Sequence, residues 1–146
     1  MRKLTLAALS ATTLALVLAA FAFGSGKVTT WTAPLSSGQE IPKQVVKDAN
    51  AHGLFKATLK GAQLKWKLTF AKLTGPATAA HIHMAKKGVA GAVVVPLCGP
   101  CKSGETGTAT VSAAVATAFK KHLLYVNVHT DKNPAGEIRG QLSVGS

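Results

Sequence analysis

The chain has 146 residues, 47% apolar, 15% charged and 5% aromatic, with 14 Gly and 6 Pro. That is the composition of one globular domain, and it excludes a disordered chain, a collagen-like chain and a large cofactor-binding α/β enzyme. Lys and Arg number 17 against 5 Asp and Glu, a formal charge of +12, which draws the chain to anionic surfaces by screened attraction without sequence specificity.

Met1-Arg2-Lys3 opens the chain as a short positive region. Leu4 to Ala20 is apolar apart from Thr5, Ser10, Thr12 and Thr13, and Ala20-Phe21-Ala22 is a small-residue cleavage pattern. This reads as a signal peptide over residues 1–22, cut after Ala22, followed by a single β domain over residues 23–146. An uncleaved anchor is the alternative, because Leu4–Phe23 nearly spans a bilayer. No second long apolar run exists, so membrane contact rests on the leader alone. The expected location is secreted, periplasmic or at the cell surface. Once Arg2 and Lys3 leave, 15 basic residues face 5 acidic ones, a charge of +10.

Beyond the leader the apolar period is two. Strands are expected at Val28–Ala33, Gly53–Lys60, Leu64–Phe70, Thr78–Met84, Ala92–Leu97, Thr106–Val111, Leu123–Thr130 and Gly136–Ser143. The clearest is the third: Leu64, Trp66, Leu68 and Phe70 share one face, Lys65, Lys67 and Thr69 the other. A hairpin around Lys60-Gly61 joins it to its predecessor. Ser112 to Lys121 departs from this period, with an Ala-rich helical run, Ser112 as N-cap and two lysines at its end. The predicted architecture is all-β, an immunoglobulin-like, Greek-key antiparallel β-sandwich or flattened barrel with one short helix.

Two segments carry ligand-type residues. In Ala80-His81-Ile82-His83-Met84 the histidines share a face, and Met84 lies opposite them as core. In Tyr125-Val126-Asn127-Val128-His129 the odd positions share a face. His81 and His83, with Cβ atoms roughly 7 Å apart, and His129 on a neighbouring strand make a three-nitrogen site suited to Cu or Zn, with Asn127 and Glu137 orienting the rings. A His129 ring more than about 8 Å from the other two excludes that site. The competing reading is a polar seam in which the histidines hydrogen-bond to backbone, Asn127, Thr130 or Glu137. His52 and His122 read as surface residues.

Cys98-Gly99-Pro100-Cys101 matches the string of thioredoxin-like oxidoreductases, but a loop follows it where those proteins open a helix. A disulfide across a four-residue turn is the structural alternative. Glu137 and Arg139, two apart on one strand, read as an opposite-charge pair that fixes the His-bearing strands, or as a means of presenting Arg139 to an anionic ligand. No nucleophile stands with a base and an orienter, and aromatics do not interleave with the basic residues as nucleic-acid stacking requires.

Leu35-Ser36-Ser37-Gly38-Gln39-Glu40-Ile41-Pro42, Ala80-His81-Ile82-His83, Gly91-Ala92-Val93-Val94-Val95-Pro96-Leu97, Tyr125-Val126-Asn127-Val128-His129-Thr130 and Pro134-Ala135-Gly136-Glu137-Ile138-Arg139-Gly140-Gln141, in that order, resemble the CHRD domain family, named after chordin. The resemblance is to a single-domain exported microbial member and covers about residues 28 to 144. It implies an immunoglobulin-like all-β fold without established catalytic activity, with His81, His83, His129, Glu137 and Arg139 at motif positions. Met84-Ala85-Lys86 departs from the Gly-Pro that many members carry after the second histidine. Three function classes stand: an exported non-enzymatic binding or structural module with no required cofactor, holding Cu or Zn if the histidines converge; a copper-dependent superoxide dismutase-like redox protein, for which the chain has few histidines; and a cationic module adhering to matrix or cell surface. The expected partner is a protein or an anionic glycan or surface ligand, not nucleic acid.

Overall fold

The computed structural model describes residues 27–46 and 48–145; the expected leader and its cleavage point at Ala22 lie outside the described residues. The strands are β1 Thr29–Ser36, β2 His52–Lys60, β3 Gln63–Ala71, β4 Ala77–Met84, β5 Ala92–Cys98, β6 Glu105–Thr110, β7 Leu124–Thr130, β8 Ile138–Gln141 and β9 Ser143–Val144. A 3₁₀ turn, Ser37–Gln39, follows β1, and helix α1, Ala113–Lys120, precedes β7. The strands form one antiparallel sheet in the order β5-β4-β7-β8-β1-β2-β3-β6, with β9 on β1. This is the flattened-barrel form of the expected all-β fold, curled until its two ends nearly meet.

Alternation decides what fills the barrel. Trp31, Ala33 and Leu35 of β1, Phe55 and Ala57 of β2, Leu64, Trp66 and Leu68 of β3, Ile82 of β4 and Leu124, Val126 and Val128 of β7 all point inward and are buried. β2 and β3 meet across the two-residue turn Gly61-Ala62, with Lys60 opposite Gln63. Ser112 caps α1 by accepting from the Val115 N–H, so the short helix starts where its sequence predicts. Val115, Ala118 and Phe119 turn into the core, where the Phe119 ring lies 5.1 Å from that of Trp31. The expected single strand Gly136–Ser143 is interrupted at Leu142: its first part pairs with β7, and β9 then crosses to β1 at Trp31 and Thr32.

The ends of the sheet are joined by the segment after β5. Cys98 and Cys101 form a disulfide with Cα atoms 5.2 Å apart. The Cys101 N–H donates to the Ala77 carbonyl at the start of β4, the Gly104 N–H donates to the Leu68 carbonyl of β3, and Ser103 Oγ accepts from the Phe70 N–H. The cysteine pair therefore shapes the loop that spans the seam of the barrel. Cys98→Ser/Cys101→Ser is expected to lower stability by about 2 kcal/mol, the loop-closure value for so short a ring. Urea unfolding checks this, and a drop of more than about 4 kcal/mol would mean that the loop holds the seam by more than closure entropy.

The two outer faces differ. On β1, β2, β3 and β6 the outward residues are mostly Thr and Lys in solvent. On β4, β7 and β8 they are His81, His83, Tyr125, Asn127, His129, Arg139 and Gln141, and several are buried because three loops fold over them.

Candidate metal centre

Register builds the covered face. His83 stands opposite Tyr125, which stands opposite Gln141; His81 stands opposite Asn127, which stands opposite Arg139. His129 is opposite Ala79, one step diagonal from His81. The three rings converge, with centroids 5.0 Å apart for His81 and His129, 5.7 Å for His81 and His83 and 5.9 Å for His83 and His129. One ligand atom from each lies within 4.8 Å of the others. Met84 sits on the opposite side against the core, as its parity predicts. His52 and His122 are exposed and apart from the cluster.

Backbone carbonyls set the tautomers. His83 Nδ1 lies 2.9 Å from the Gly91 carbonyl and His129 Nδ1 lies 3.0 Å from the Pro134 carbonyl. A carbonyl only accepts, so both Nδ1 atoms carry protons, and each neutral ring is left with a lone pair on Nε2. His129 Nε2 takes a hydrogen bond from His81 Nδ1 at 3.1 Å. His83 Nε2 is buried without a hydrogen-bond partner among the described residues. That atom is the fit test for a metal: a desolvated lone pair on a ring beside two other imidazoles is costly unless something electrophilic meets it. Two nitrogens on one tetrahedral ion are about 3.4 Å apart at the usual metal–nitrogen length of about 2.1 Å, close to the spacing of His81 and His129. The three residues fit Zn or Cu, with His83 and His129 offering Nε2, and His81 offering Nδ1 once its proton moves to Nε2.

Electrostatics keeps the rings neutral. Burial lowers the pKa of all three, with the neighbouring imidazoles adding to it for His81 and His129, and the Arg139 charge for His83; the hydrogen bonds to Gly91 and Pro134 partly oppose the shift. The folded state thus binds protons at these rings less readily than the unfolded chain does. Their contribution to stability is complete above 6.5, the ordinary value, and is lost as pH falls below it.

The ring-orienting roles expected of Asn127 and Glu137 are corrected by the structure. Asn127 instead donates from Nδ2 to Glu40 Oε2 at 3.3 Å and toward the Ala135 carbonyl, and Gly136, at φ +128°, passes so close that a Cβ there would lie 2.3 Å from Asn127 Oδ1. Glu137 and Arg139 do not pair either. Glu137 precedes β8 and turns back to Thr74, Thr130 and Asn133, whereas Arg139 lies over the Tyr125 ring at 3.4 Å and donates to the Val89 carbonyl at 2.7 Å. Two residues apart put them on one side only inside a regular strand, and the strand begins at Ile138.

Sequence reasoning gave no role to the remaining parts of the site. The loop 85–91 is stitched down by Ala85, Val89 and Gly91, which meet Gln141, Arg139, and both Tyr125 and His83 respectively. Gly91 is required where it stands, since a Cβ would fall 2.0 Å from the Met84 carbonyl. Tyr125 stacks on His83, centroids 4.9 Å apart and nearly parallel. Glu40, from the loop after β1, is buried at 1% exposure, and burial raises its pKa to about 7 even though Arg139 and Asn127 oppose the shift. The second cluster of ligand-type atoms, Cys98, Cys101 and Glu105, is closed to thiolate chemistry by the disulfide. No helix among the described residues is long and apolar enough to cross a membrane.

A family model described as the CHRD domain matches residues 31–142, which include every residue of the histidine cluster and its surroundings named above. No curated protein and no solved structure matches the chain.

Proposed function

The chain belongs to the CHRD domain family, and from that premise we propose that it is an exported, non-enzymatic binding module that holds one Cu or Zn ion through His81, His83 and His129. At family level a CHRD domain is a binding or structural module. The observation that carries the metal reading is the buried His83 Nε2, unpartnered among the described residues, on a ring whose two neighbouring imidazoles are within reach. The intact disulfide agrees with an oxidising compartment. When bound, the ion supplies a fixed positive charge with a position open to an incoming donor atom. The chain's own residues do the rest: Gly91 and Pro134 fix two tautomers, Tyr125 stacks against one ring, and the 85–91 loop keeps water from His83.

The test is metal content after loading with Cu or Zn, on protein purified without a histidine tag. One equivalent is expected, with none in His81→Ala/His83→Ala. At metal about a hundredfold above Kd the stabilisation is about 2.7 kcal/mol, so the melting temperature rises by about 10 °C. Absence of bound metal, together with a lower melting temperature of the variant, would leave the histidines as a structural seam. Superoxide dismutation by the copper-loaded protein is expected to match free copper; a faster rate would restore the redox alternative.

A further inference from the structure

The face of the barrel remote from the histidines has a regular chemistry that the metal reading does not use. Register aligns Thr30, Thr58, Lys65 and Thr108 in one row across β1, β2, β3 and β6, and Thr32, Lys56, Lys67 and Thr106 in the next. A third row holds Lys60, Gln63 and Thr110. Every lysine in these rows is exposed, and no row contains an acidic residue. Lys56 stands directly opposite Lys67, an arrangement that destabilises a sheet unless something negative lies over it. Shallow depressions run along this face between the side chains, walled by Lys56, Lys65, Lys67, Thr58 and Thr69 with Leu54, Ala57 and Trp66 beneath.

We propose that this Lys/Thr face of β1, β2, β3 and β6 is a binding surface for an acidic, sulfated or uronic polysaccharide laid across the strands. Charge complementarity names the sign of the partner, and the rest of the face names its class. The rows contain no arginine to fork onto a planar carboxylate or phosphate, so the charges are compact ammonium points suited to well-separated anionic groups. Threonine hydroxyls stand beside Lys56, Lys65 and Lys67 in their rows, able to donate to and accept from sugar hydroxyls. A membrane fits less well, because the exposed large apolar residues Val28, Ile41, Val45, Val89, Val93 and Val144 lie outside these rows. A nucleic acid lacks the aromatic stacking platform it needs, since Trp66 points into the core. The face is independent of the histidine cluster, so His81→Ala/His83→Ala is expected to bind polysaccharide as the parent does.

The experiment is salt-gradient elution from immobilised heparin, with anionic phosphatidylglycerol vesicles in parallel. Lys56→Gln/Lys65→Gln/Lys67→Gln is compared with Lys102→Gln/Lys121→Gln/Lys132→Gln, which removes the same three charges elsewhere. The parent is expected to elute well above about 0.15 M salt and the face variant near or below it. The slope of log affinity against log salt is expected to fall by about two to three in the face variant, somewhat under one per lost phosphate-like contact, and to change little in the control. Removing the Lys56–Lys67 opposition does not harm the fold, so the face variant melts no lower than the parent. Equal shifts in the two variants would reduce the binding to net charge and overturn the proposal. Retention on the vesicles but not on heparin would overturn it in favour of a membrane surface.

Discussion

Glu137→Gln is expected to lower stability by about 3–5 kcal/mol at pH 7, near the top of the range for one substitution. The carboxylate is fully buried and takes four donors. Oε1 accepts from the Thr74 N–H at 2.5 Å and from Thr74 Oγ1 at 2.8 Å, while Oε2 accepts from Thr130 Oγ1 at 2.7 Å and Asn133 Nδ2 at 3.1 Å. Glutamine keeps the volume, but whichever way its amide is turned, its NH₂ faces one N–H donor and one threonine hydroxyl that must reverse to accept. The charge assistance is lost from all four bonds, and an N–H is left opposing an N–H in a dry site. Burial by itself would raise the Glu137 pKa, yet the hydrogen bonds from Thr130, Thr74 and Asn133 together outweigh it and hold the group below the usual 4.5. A depressed acid contributes stability above its unfolded value, and that contribution is lost as pH falls through the folded one. The gap between parent and variant is therefore widest at neutral pH and closes as pH falls below 4.5. Urea unfolding at pH 7 and pH 3 reads both values; a gap under about 1 kcal/mol at pH 7 would show that the four bonds are replaceable by water. The same network pins the turn whose Pro134 carbonyl orients His129, so on the proposed metal reading the variant is also expected to bind Cu or Zn more weakly.

That network also marks where the sequence stops being informative. Period-two alternation placed the Leu64–Phe70 strand close to its observed bounds, because it has a core face of consistently apolar residues, whereas the expected Val28–Ala33 strand runs on to Ser36 and Gly136–Ser143 is broken at Leu142. Parity set His81 and His83 on one face and Met84 on the other, and it gave His129 the same face as Asn127, so the convergence of three rings needed only that β4 and β7 be neighbours. What parity cannot see is contact made through main chain or from afar. The Gly91 and Pro134 carbonyls that fix the histidine tautomers have no residue signature, because any residue supplies a carbonyl. Glu40 reaches Asn127 from 87 positions away in the chain. Glu137 and Arg139 diverge because the chain bends between the turn and β8, a departure from strand geometry that a spacing of two cannot register.

Arg139→Met is expected to cost about 3 kcal/mol at pH 8 and distinctly less at pH 4.5, and the pH dependence identifies the buried partner. The guanidinium is 2% exposed, stacked over Tyr125 and bonded to the Val89 carbonyl; a desolvated cation–π contact contributes about 2 kcal/mol and a charged hydrogen bond about as much, partly offset by methionine packing. These terms do not vary between the two pH values, but Glu40 does. Burial lifts its pKa to about 7, and the Arg139 charge is the largest influence holding it down. A raised acid favours folding below its unfolded value, and stability is lost as pH rises through the folded one. The parent therefore loses stability from about pH 4.5 to 7 on account of Glu40, and without Arg139 that loss deepens and extends to higher pH. Glu40→Gln removes that titration, so in its background the difference between the two pH values should shrink to the part carried by His83, whose pKa the Arg139 charge also lowers. A double-mutant cycle isolates the coupling from the opposite trend of the histidines, which lose stability as pH falls below 6.5. An equal cost of Arg139→Met at pH 4.5 and pH 8 in the parent would sink the assignment of Glu40 as its partner. Because Arg139 also ties down Val89, two positions before the carbonyl that orients His83, and its charge lowers the His83 pKa, its removal loosens the loop and lets protons compete for the ring. On the proposed metal reading, affinity for Cu or Zn should then fall more steeply with acid in Arg139→Met than in the parent, which joins the buried charges of this face to the histidines they surround.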